Sequence, residues 1–553
     1  MRHTYKILSF LLFTAACFSC HKVLDLQPQN SFSQQTVWSD PNLALTYVNQ
    51  IYRDGVLAFK DAGFGWGAQT DELFSNFGWC HETQYVQGQA TPDNQSSSTP
   101  DNYSSTINFW PNLYTVVRET NLFFQNIGQV DTLANGPLIS RMKGEVYFLR
   151  ALAYFELLKR FGGVPLISKV YTTDDKTFNT PRTSWDSTAA FILSDINQAA
   201  ALLPSSYSSS TDVGRATIGA ALALKSRLLL YQASPYYNTS NDMTKWQAAA
   251  DAAKAVIDMP LYSLYGTSTT YGKIFTDFFN SEVIFARMFS PQVQEDRYNT
   301  VYRDLAPNGY NGYSAYNVLE QMVEDFEMSD GTAFSWTNPT QAANPYANRD
   351  PRFYADILYN GAPFQGRQAQ FYEGGLDSKE SSLSPWNASK TGYTIEKMVD
   401  TNFNFNIQPY SSAQWVVFRL GEIYLNYAEA SAELGHTGDA LLYLNKIRER
   451  AGIPDQTATS TADLLTKIQH ERRIELCFEG HRYFDIRRWG MAEIGSKNGL
   501  GIIITPTSPA NTSFTYQVDT VEKRVWVPSF YYYPIPRTEI QKDPSILQNP
   551  NYN

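Results

Sequence analysis

The sequence predicts a mainly α-helical protein that contains helical hairpins and long segments rich in loops. Several stretches repeat apolar residues at spacings of three and four, which is the period of an α-helix. Between them lie long segments dominated by Gly, Pro, Asn, Ser and Tyr, where this period fades. Because long stretches without regular structure in a compact protein are usually functional, we expect the ligand site in these segments.

The clearest helices carry apolar residues on two faces. In residues 143–160, one stripe contains Val146, Leu149, Ala153 and Leu157, and residues 416–434 repeat the pattern. A helix that is apolar on two faces lies between neighbouring helices, so these segments predict helical hairpins packed side by side. The predicted helices cover residues 41–52, 112–127, 137–161, 187–203, 215–234, 245–258, 416–435, 437–452 and 461–480.

The N-terminal residues 1–19 have the features of a secretion leader. Arg2 and Lys6 form a basic start, and the apolar stretch that follows is too short to span a bilayer. The small residue Ser19 stands before Cys20, as in bacterial lipoproteins, although Phe18 is bulkier than usual. We therefore predict cleavage before Cys20 and lipidation of that residue, with an ordinary secretory signal as the alternative.

The composition limits the class of protein. The net charge is −10, and no basic patch with interleaved aromatic residues is present, which argues against nucleic-acid binding. The sequence contains no zinc-protease motif, no phosphate-binding glycine loop and no serine nucleophile elbow. We expect no cofactor. Calcium binding by loop carboxylates such as Asp93 and Asp101 remains an alternative, but no calcium-loop motif supports it.

Residues 471–490 are the most informative stretch of the chain. Half of these residues are Glu, Asp, Arg or His, yet large apolar residues such as Ile474, Phe484 and Trp489 run through them. Buried charges must be paired, and the planar guanidinium of arginine meets carboxylates through two bonds. We therefore predict ion pairs closed inside an apolar setting rather than catalytic acids and bases. The predicted structural residues are Glu471, Arg472, Arg473, Glu475, Glu479, Arg482, Asp485, Arg487 and Arg488.

This stretch resembles the C-terminal signature of SusD/RagB-type proteins, the surface nutrient-binding lipoproteins of Bacteroidetes. Besides the nine charged residues, Leu476, Phe478, Gly480, Phe484 and Trp489 also match that signature. The resemblance extends over nearly the whole chain after the leader, and it includes residues 143–155, 161–167, 214–225, 349–353, 419–430, 533–536 and 548–550.

The resemblance implies a tetratricopeptide-like helical-repeat scaffold of about four helix pairs in a right-handed superhelix, with an irregular ligand-binding lobe. It places a single unit at residues 20–553. The scaffold is expected mainly at residues 40–58, 112–260 and 416–490, the lobe mainly at 60–111 and 260–415, and an extended C-terminal segment at 491–553. The expected helix pairs are 112–130 with 137–161, 187–203 with 215–234, 245–258 with the segment that follows, and 416–435 with 437–452.

Aromatic residues in the loops are the candidate ligand contacts. An exposed Trp or Tyr stacks on the apolar face of a sugar ring, while Asn, Asp and Gln bond its hydroxyl groups. Glycine-rich residues 309–316 carry three tyrosines, and residues 60–90 interleave aromatic and polar side chains. The predicted ligand-binding residues are Trp66, Asp71, Asn76, Trp79, Tyr85, Tyr310, Tyr313, Tyr316 and Trp336. Packing inside the lobe is the alternative for each of them.

The resemblance implies a non-catalytic receptor that is anchored to the outer membrane by lipid, faces outward and captures an oligosaccharide. Its implied partner is a TonB-dependent transporter of the SusC type, to which it delivers the ligand. One alternative is a binder of peptides or of another nutrient with the same transporter. A second alternative is a glycoside hydrolase, for which Asp71 and Glu72 are the loop carboxylates to test.

Overall fold

The computed structural model describes residues 37–77, 81–94, 109–172, 174–175, 178–291, 301–403 and 412–552. The helices of the first half are α1 (Pro41–Gly55), α2 (Phe64–Gly67), α3 (His81–Val86), α4 (Trp110–Asn126), α5 (Thr132–Phe161), α6 (Trp185–Leu202), α7 (Ile218–Ala233) and α8 (Met243–Ile257). Those of the second half are α9 (Lys273–Thr276), α10 (Val301–Leu305), α11 (Glu320–Asp325), α12 (Pro339–Ala343), α13 (Pro351–Asp356), α14 (Leu420–Glu433), α15 (Thr437–Ala451), α16 (Thr461–Glu475), α17 (Arg482–Arg488) and α18 (Arg537–Lys542). The prediction of a mainly helical fold is confirmed.

The long scaffold helices begin at residues that can satisfy their first backbone N–H groups. Asp40 accepts a hydrogen bond from the amide of Asn42 at α1, and Ser184 accepts one from Ser187 at α6. Thr217 does the same for α7, and Ser460 for α16. Short polar side chains at this position are strongly preferred because these donors have no partner within the helix.

The scaffold helices pack mostly on their neighbours in the sequence. Helix α5 lies against α4 on one side and α6 on the other, and α7 lies between α6 and α8. Helix α8 packs on α7 and on the distant α14, so its second helical partner is not the segment that follows it. Helix α14 in turn contacts α15 and α16. The sequence could not identify the contact between α8 and α14 because about 160 residues separate the two helices.

Two predicted helix ends need correction. Residues 416–419, predicted as the start of the helix 416–435, belong to a strand, Ala413–Arg419, that pairs with residues 283–289, and α14 begins only at Leu420. Helix α16 ends at Glu475 rather than at residue 480, because Phe478 and Gly480 adopt positive φ angles of 64° and 83°. Gly480 is required there, since a side chain would collide with the backbone of Ala62.

Strands in the described ranges form two-stranded antiparallel pairs. The strands are β1 (Leu73–Ser75), β2 (Val283–Phe289), β3 (Tyr316–Val318), β4 (Ile357–Leu358), β5 (Pro363–Phe364), β6 (Arg367–Gln368), β7 (Thr394–Ile395), β8 (Ala413–Arg419), β9 (Gly499–Pro506) and β10 (Phe514–Glu522). The pairs are β1–β3, β2–β8, β4–β7, β5–β6 and β9–β10. Strand β1 thereby joins residues 73–75 to residues 316–318 in the second half of the chain.

The apolar interior is divided mainly into two large clusters. One is built chiefly by the scaffold helices and includes Leu149, Phe155 and Leu224. The other is built by the loops and short strands, and it includes Phe64, Tyr316 and residues of β8. In the described part of the chain, no helix is long and apolar enough to cross a membrane.

Candidate functional site

The charged stretch 471–490 lies inside the protein. Burial alone would raise the pKa of Glu475, but the guanidinium groups of Arg450, Arg419 and Arg352 hold it well below its usual range. Nη1 of Arg419 lies 2.6 Å from Oε1 of Glu475, and Nη1 of Arg352 lies 3.0 Å from Oε2. A carboxylate held ionised by three arginines does not act as a general acid.

The same stretch connects the two clusters of the interior. Glu479 accepts from Arg419 at 2.8 Å and pairs with Lys397 of the loop-rich region at 3.0 Å. Asp485 binds Arg472 at 2.7 Å and Arg488 at 2.8 Å. Arg487 donates instead to the carbonyl of Phe530 at 2.8 Å. The nine predicted structural residues are therefore largely buried and have polar partners.

Three of the predicted ligand-binding aromatic residues are buried, and this corrects the prediction for them. Trp66 lies 4.9 Å from the ring of Tyr483, and its Nε1 donates to the carbonyl of Asp61 at 2.9 Å. Tyr85 stacks on Phe530 at 4.1 Å, and Tyr316 lies within β3. Their residual exposures of 3%, 1% and 5% leave no ring face for a ligand.

The two predicted polar contacts are also buried. Asp71 pairs with Arg473 and, at 2.9 Å, with Arg482, and Nδ2 of Asn76 donates to the carbonyl of Ala388 at 3.2 Å. Glu72, next to Asp71, is 1% exposed, and burial raises its pKa to about 8. Both carboxyl groups are buried and Asp71 is paired with two arginines, so the pair is unsuited to glycoside hydrolysis.

The other predicted aromatic contacts are half-buried, and each already has a partner. The guanidinium of Arg367 lies 3.9 Å from the centre of the Tyr310 ring, and that of Arg303 lies 4.3 Å from Tyr313. Nε1 of Trp336 donates to Glu320 at 3.0 Å. The remaining predictions, ligand binding by Trp79 and lipidation of Cys20, fall outside the described residues.

The most exposed tryptophan among the described residues is Trp386, which the sequence analysis did not single out. Its side chain is 73% exposed, and Leu376 and Leu383 of the same loop are 40% and 44% exposed. Trp386 lies in a single 3-10 turn, Pro385–Asn387, which follows Ser384 at a φ of 47°. A tryptophan surrounded by Ser, Pro and Asn without apolar periodicity was the sequence signal for this exposed ring. We call residues 376–388 the Trp386 loop.

Two side chains from other parts of the chain hold the Trp386 loop. Nδ2 of Asn308 donates to the carbonyl of Leu383 at 2.7 Å, and Asn76 donates to Ala388. Asn76 is followed by Phe77, whose ring lies 6.5 Å from Tyr313. These hydrogen bonds bring the Trp386 loop, residues 73–77 and residues 308–316 to the same part of the molecule.

The start of the Trp386 loop is fixed by a buried ion pair. Asp377 is fully buried and binds Arg367 through two bonds, at 2.7 and 2.8 Å. It also accepts a hydrogen bond from the amide of Gln370 at 2.8 Å. Gly309 packs so closely on Asp377 and Arg367 that a side chain there would collide with both. The guanidinium of Arg367 lies on the ring of Tyr310, so Arg367 links the Trp386 loop to Tyr310.

Metal binding has no candidate site in the described ranges, where no group of three or more His, Cys, Asp or Glu residues could hold an ion. Asp93, one of the two loop carboxylates considered for calcium, pairs with Arg537 at 2.7 Å. Asp101 lies outside the described residues.

Two family models match the chain. The SusD family matches residues 281–552, and a family described as starch-binding and associating with the outer membrane matches residues 27–230. A SusD-like protein of Formosa agariphila is 25% identical over 513 residues, which cover 87% of this chain and 91% of that protein. A SusD-like protein of Bacteroides ovatus is 26% identical over 69% of this chain and 65% of its own length.

Solved structures share the fold over nearly the whole chain. A SusD-like protein of Bacteroides fragilis is 29% identical with a TM-score of 0.80, and the match covers 93% of this chain and 98% of that one. A SusD-like carbohydrate-binding protein of the same organism is 25% identical with a TM-score of 0.76, and it covers 92% and 99%. The chain therefore belongs to the SusD family, a family of binding proteins without catalytic activity.

Proposed function

We propose that this protein binds oligosaccharides at the cell surface, where lipid on Cys20 holds it to the outer membrane, and delivers them to a SusC-like TonB-dependent transporter. Membership of the SusD family and the match to a family described as starch-binding support the choice of a glycan. The observation that carries the proposal is the exposed ring of Trp386 in the loop-rich region.

The proposed ligand surface is the Trp386 loop with the neighbouring Tyr313. A bare indole ring costs free energy in water, and it offers a flat apolar face that matches the C–H face of a pyranose. Ser382, Ser384 and Asn387 of the loop carry groups that hydrogen-bond to hydroxyls, although Asn387 itself is mostly buried. An aromatic side chain held on a fixed loop loses little conformational entropy when a ligand stacks on it.

The test is isothermal titration calorimetry of the mature chain with a panel of malto-oligosaccharides, other oligosaccharides and peptides. We expect one glycan class to bind, and Trp386→Ala to weaken that binding at least tenfold, or about 1.4 kcal/mol. The matched control is Leu133→Ala, which removes a 98% exposed apolar side chain from the scaffold and should leave the affinity unchanged.

Binding of peptides alone would contradict the glycan assignment and favour a receptor for another nutrient. Unchanged glycan affinity in Trp386→Ala would contradict the proposed surface. Co-purification of the membrane-anchored protein with a TonB-dependent transporter tests the delivery role, and isolation without such a partner from detergent-solubilised outer membranes would contradict it.

A further inference from the structure

An apolar groove of about 410 Å³ on the scaffold has no assigned role. It lies between the first half of α4, the loop that follows α5 and the C-terminal helix α18. The groove is lined by four aromatic side chains and by aliphatic ones. The aromatic residues are Trp110, Tyr114, Tyr171 and Phe178, and the aliphatic ones include Val117, Ile167 and Ile546. Phe178 at the groove is 47% exposed. A groove of this size and character is typical of a site that receives apolar side chains.

Key polar groups of the groove are satisfied within the protein. The hydroxyl of Tyr114 donates to the carbonyl of Pro165 at 2.8 Å, and those of Tyr171 and Thr180 lie 3.0 Å apart. The amide of Thr180 donates to Asp543 at 2.8 Å. The groove therefore offers apolar contact more than hydrogen bonding, which favours aliphatic side chains over a sugar as its occupant.

The described chain begins beside the same helix. Trp38 is 3% exposed, and its ring lies 6.1 Å from Phe123 in the second half of α4. From Phe123 to Tyr114 is nine residues, or about 14 Å along a helix. An extended chain covers about 3.3 Å per residue, so the 11 residues from Val37 back to Leu26 reach about 36 Å. The segment that precedes Val37 is thus long enough to enter the groove.

That segment has a composition that suits the groove. Residues 23–26 read Val-Leu-Asp-Leu, and Leu24 and Leu26 share one face if the chain is extended. Pro28 disfavours a helix at Gln27. Asp25 lies on the opposite face and so points away from the groove, whose lining carries three basic residues, Arg118, Lys169 and Lys542, and two acidic ones, Glu539 and Asp543.

We propose that residues 23–26 occupy this groove, with the side chains of Leu24 and Leu26 against Tyr114, Val117 and Ile546. The docked segment fastens the N-terminal tether to the scaffold. Where Cys20 is lipidated, as the proposed function assumes, only two residues, His21 and Lys22, then separate the anchor from the docked segment. The free tether shrinks from roughly 56 Å to about 10 Å, so the protein is held close to the membrane in a restricted orientation.

The test is the rate at which a maleimide reagent modifies a cysteine placed in the segment. The background is the mature chain with Cys20→Ala and Cys80→Ser, in which the remaining Cys477 is fully buried. We expect Leu26→Cys to react at least tenfold more slowly than Leu133→Cys, whose native side chain is 98% exposed. Adding Ile546→Glu, or Phe178→Glu at the groove's exposed edge, should bring the two rates within about twofold of each other.

Equal rates for Leu26→Cys and Leu133→Cys without a groove variant would overturn the proposal. Slow modification that neither groove variant relieves would show that the segment is protected elsewhere, and it would also overturn the assignment to this groove. The assay contains no glycan and no lipid, so its outcome is independent of whether the protein binds oligosaccharides.

Discussion

The scaffold and the loop-rich region are both built with many aromatic residues, but the rules that decide exposure differ. In α5, Tyr154 and Phe155 are fully buried, as the helical period indicates. In the loop-rich region, Tyr316 of the short strand β3 is buried and Trp386 is 73% exposed, although Ser and Asn stand close to both in the sequence. A helix fixes the direction of each side chain locally. A loop side chain is placed by contacts with distant parts of the chain.

Two sets of buried carboxyl groups, one around α16 and one in the loop-rich region, have pKa values shifted in opposite directions. Around α16, arginines hold the pKa of Glu475 and Asp485 below the usual range despite the opposing effect of burial. In the loop-rich region, burial raises the pKa of Glu72 and Glu320 to about 8. Glu475 and Asp485 are stabilised as carboxylates, while Glu72 and Glu320 are favoured as neutral acids, so a rise in pH acts on the two sets in opposite directions.

The largest expected effect comes from removing a carboxylate at the junction of the two regions. Glu475→Ala leaves Arg419, Arg352 and Arg450 buried without their shared partner. Breaking a buried ion pair on one side costs about 3–5 kcal/mol because the remaining charge stays desolvated. Urea denaturation should show a loss of that size in the free energy of unfolding.

The control for Glu475→Ala is Asp175→Ala, which removes one half of an exposed ion pair with Lys169. Exposed ion pairs contribute about 0–1 kcal/mol, so the free energy of unfolding of this variant should be close to that of the native protein. Similar losses for the two variants would contradict the view that the buried network joins the regions.

Much of the scaffold could be predicted from the sequence because its signals are local. The period of three and four residues locates helices such as α5 and α7, and the capping residues fix where they begin. The prediction was wrong at residues 416–419 because a short apolar run such as Trp-Val-Val-Phe at residues 415–418 suits a buried strand as well as a helix. The pairing with β2, about 130 residues earlier, decides between the two.

The candidate site could be predicted only as a region. Loop composition predicted a ligand site in residues 60–111 and 260–415, but it could not distinguish Trp66, which is buried against Tyr483, from Trp386, whose side chain is mostly exposed. Asp71 was predicted as a polar ligand contact, yet its carboxylate forms ion pairs with Arg473 and Arg482 of the charged stretch. Those partners lie about 400 residues away, and no local pattern reveals them.

The second expected effect concerns the order of the Trp386 loop. Arg367→Met removes both bonds to the buried Asp377 and the stacking on Tyr310. A buried carboxylate that loses its partner costs about 1–3 kcal/mol, and local opening of the loop relieves that cost. Hydrogen exchange should therefore rise in residues 376–388, while exchange in the scaffold helices α5 and α7 stays unchanged.

Lys379→Met is the control for this variant, because Lys379 lies in the same loop and its side chain is 74% exposed. It removes a similar length of basic side chain without a buried partner, and exchange in the loop should not change. Suppose that hydrogen exchange in residues 376–388 of Arg367→Met equals that of the native protein, while Trp386→Ala abolishes glycan binding. The Trp386 ring would then bind glycan without needing the ion pair between Arg367 and Asp377 to order its loop.

The third expected effect is a change in the pH dependence of stability. Oε1 of Glu320 accepts a hydrogen bond from Trp336 at 3.0 Å, and the hydroxyl of Tyr393 bonds Oε2 at 2.8 Å. Because the folded protein binds the Glu320 proton more tightly than the unfolded chain, native stability falls as the pH rises from about 4.5 to about 8.

Glu320→Gln keeps the shape of the side chain and removes this titrating proton. Near pH 5, the free energy of unfolding of the variant should match that of the native protein within about 1 kcal/mol. As the pH rises to 8, the variant should become steadily more stable than the native protein. Urea denaturation at pH 5, 6.5 and 8 measures the difference, and a constant difference across this range would mean that Glu320 is ionised in the folded state.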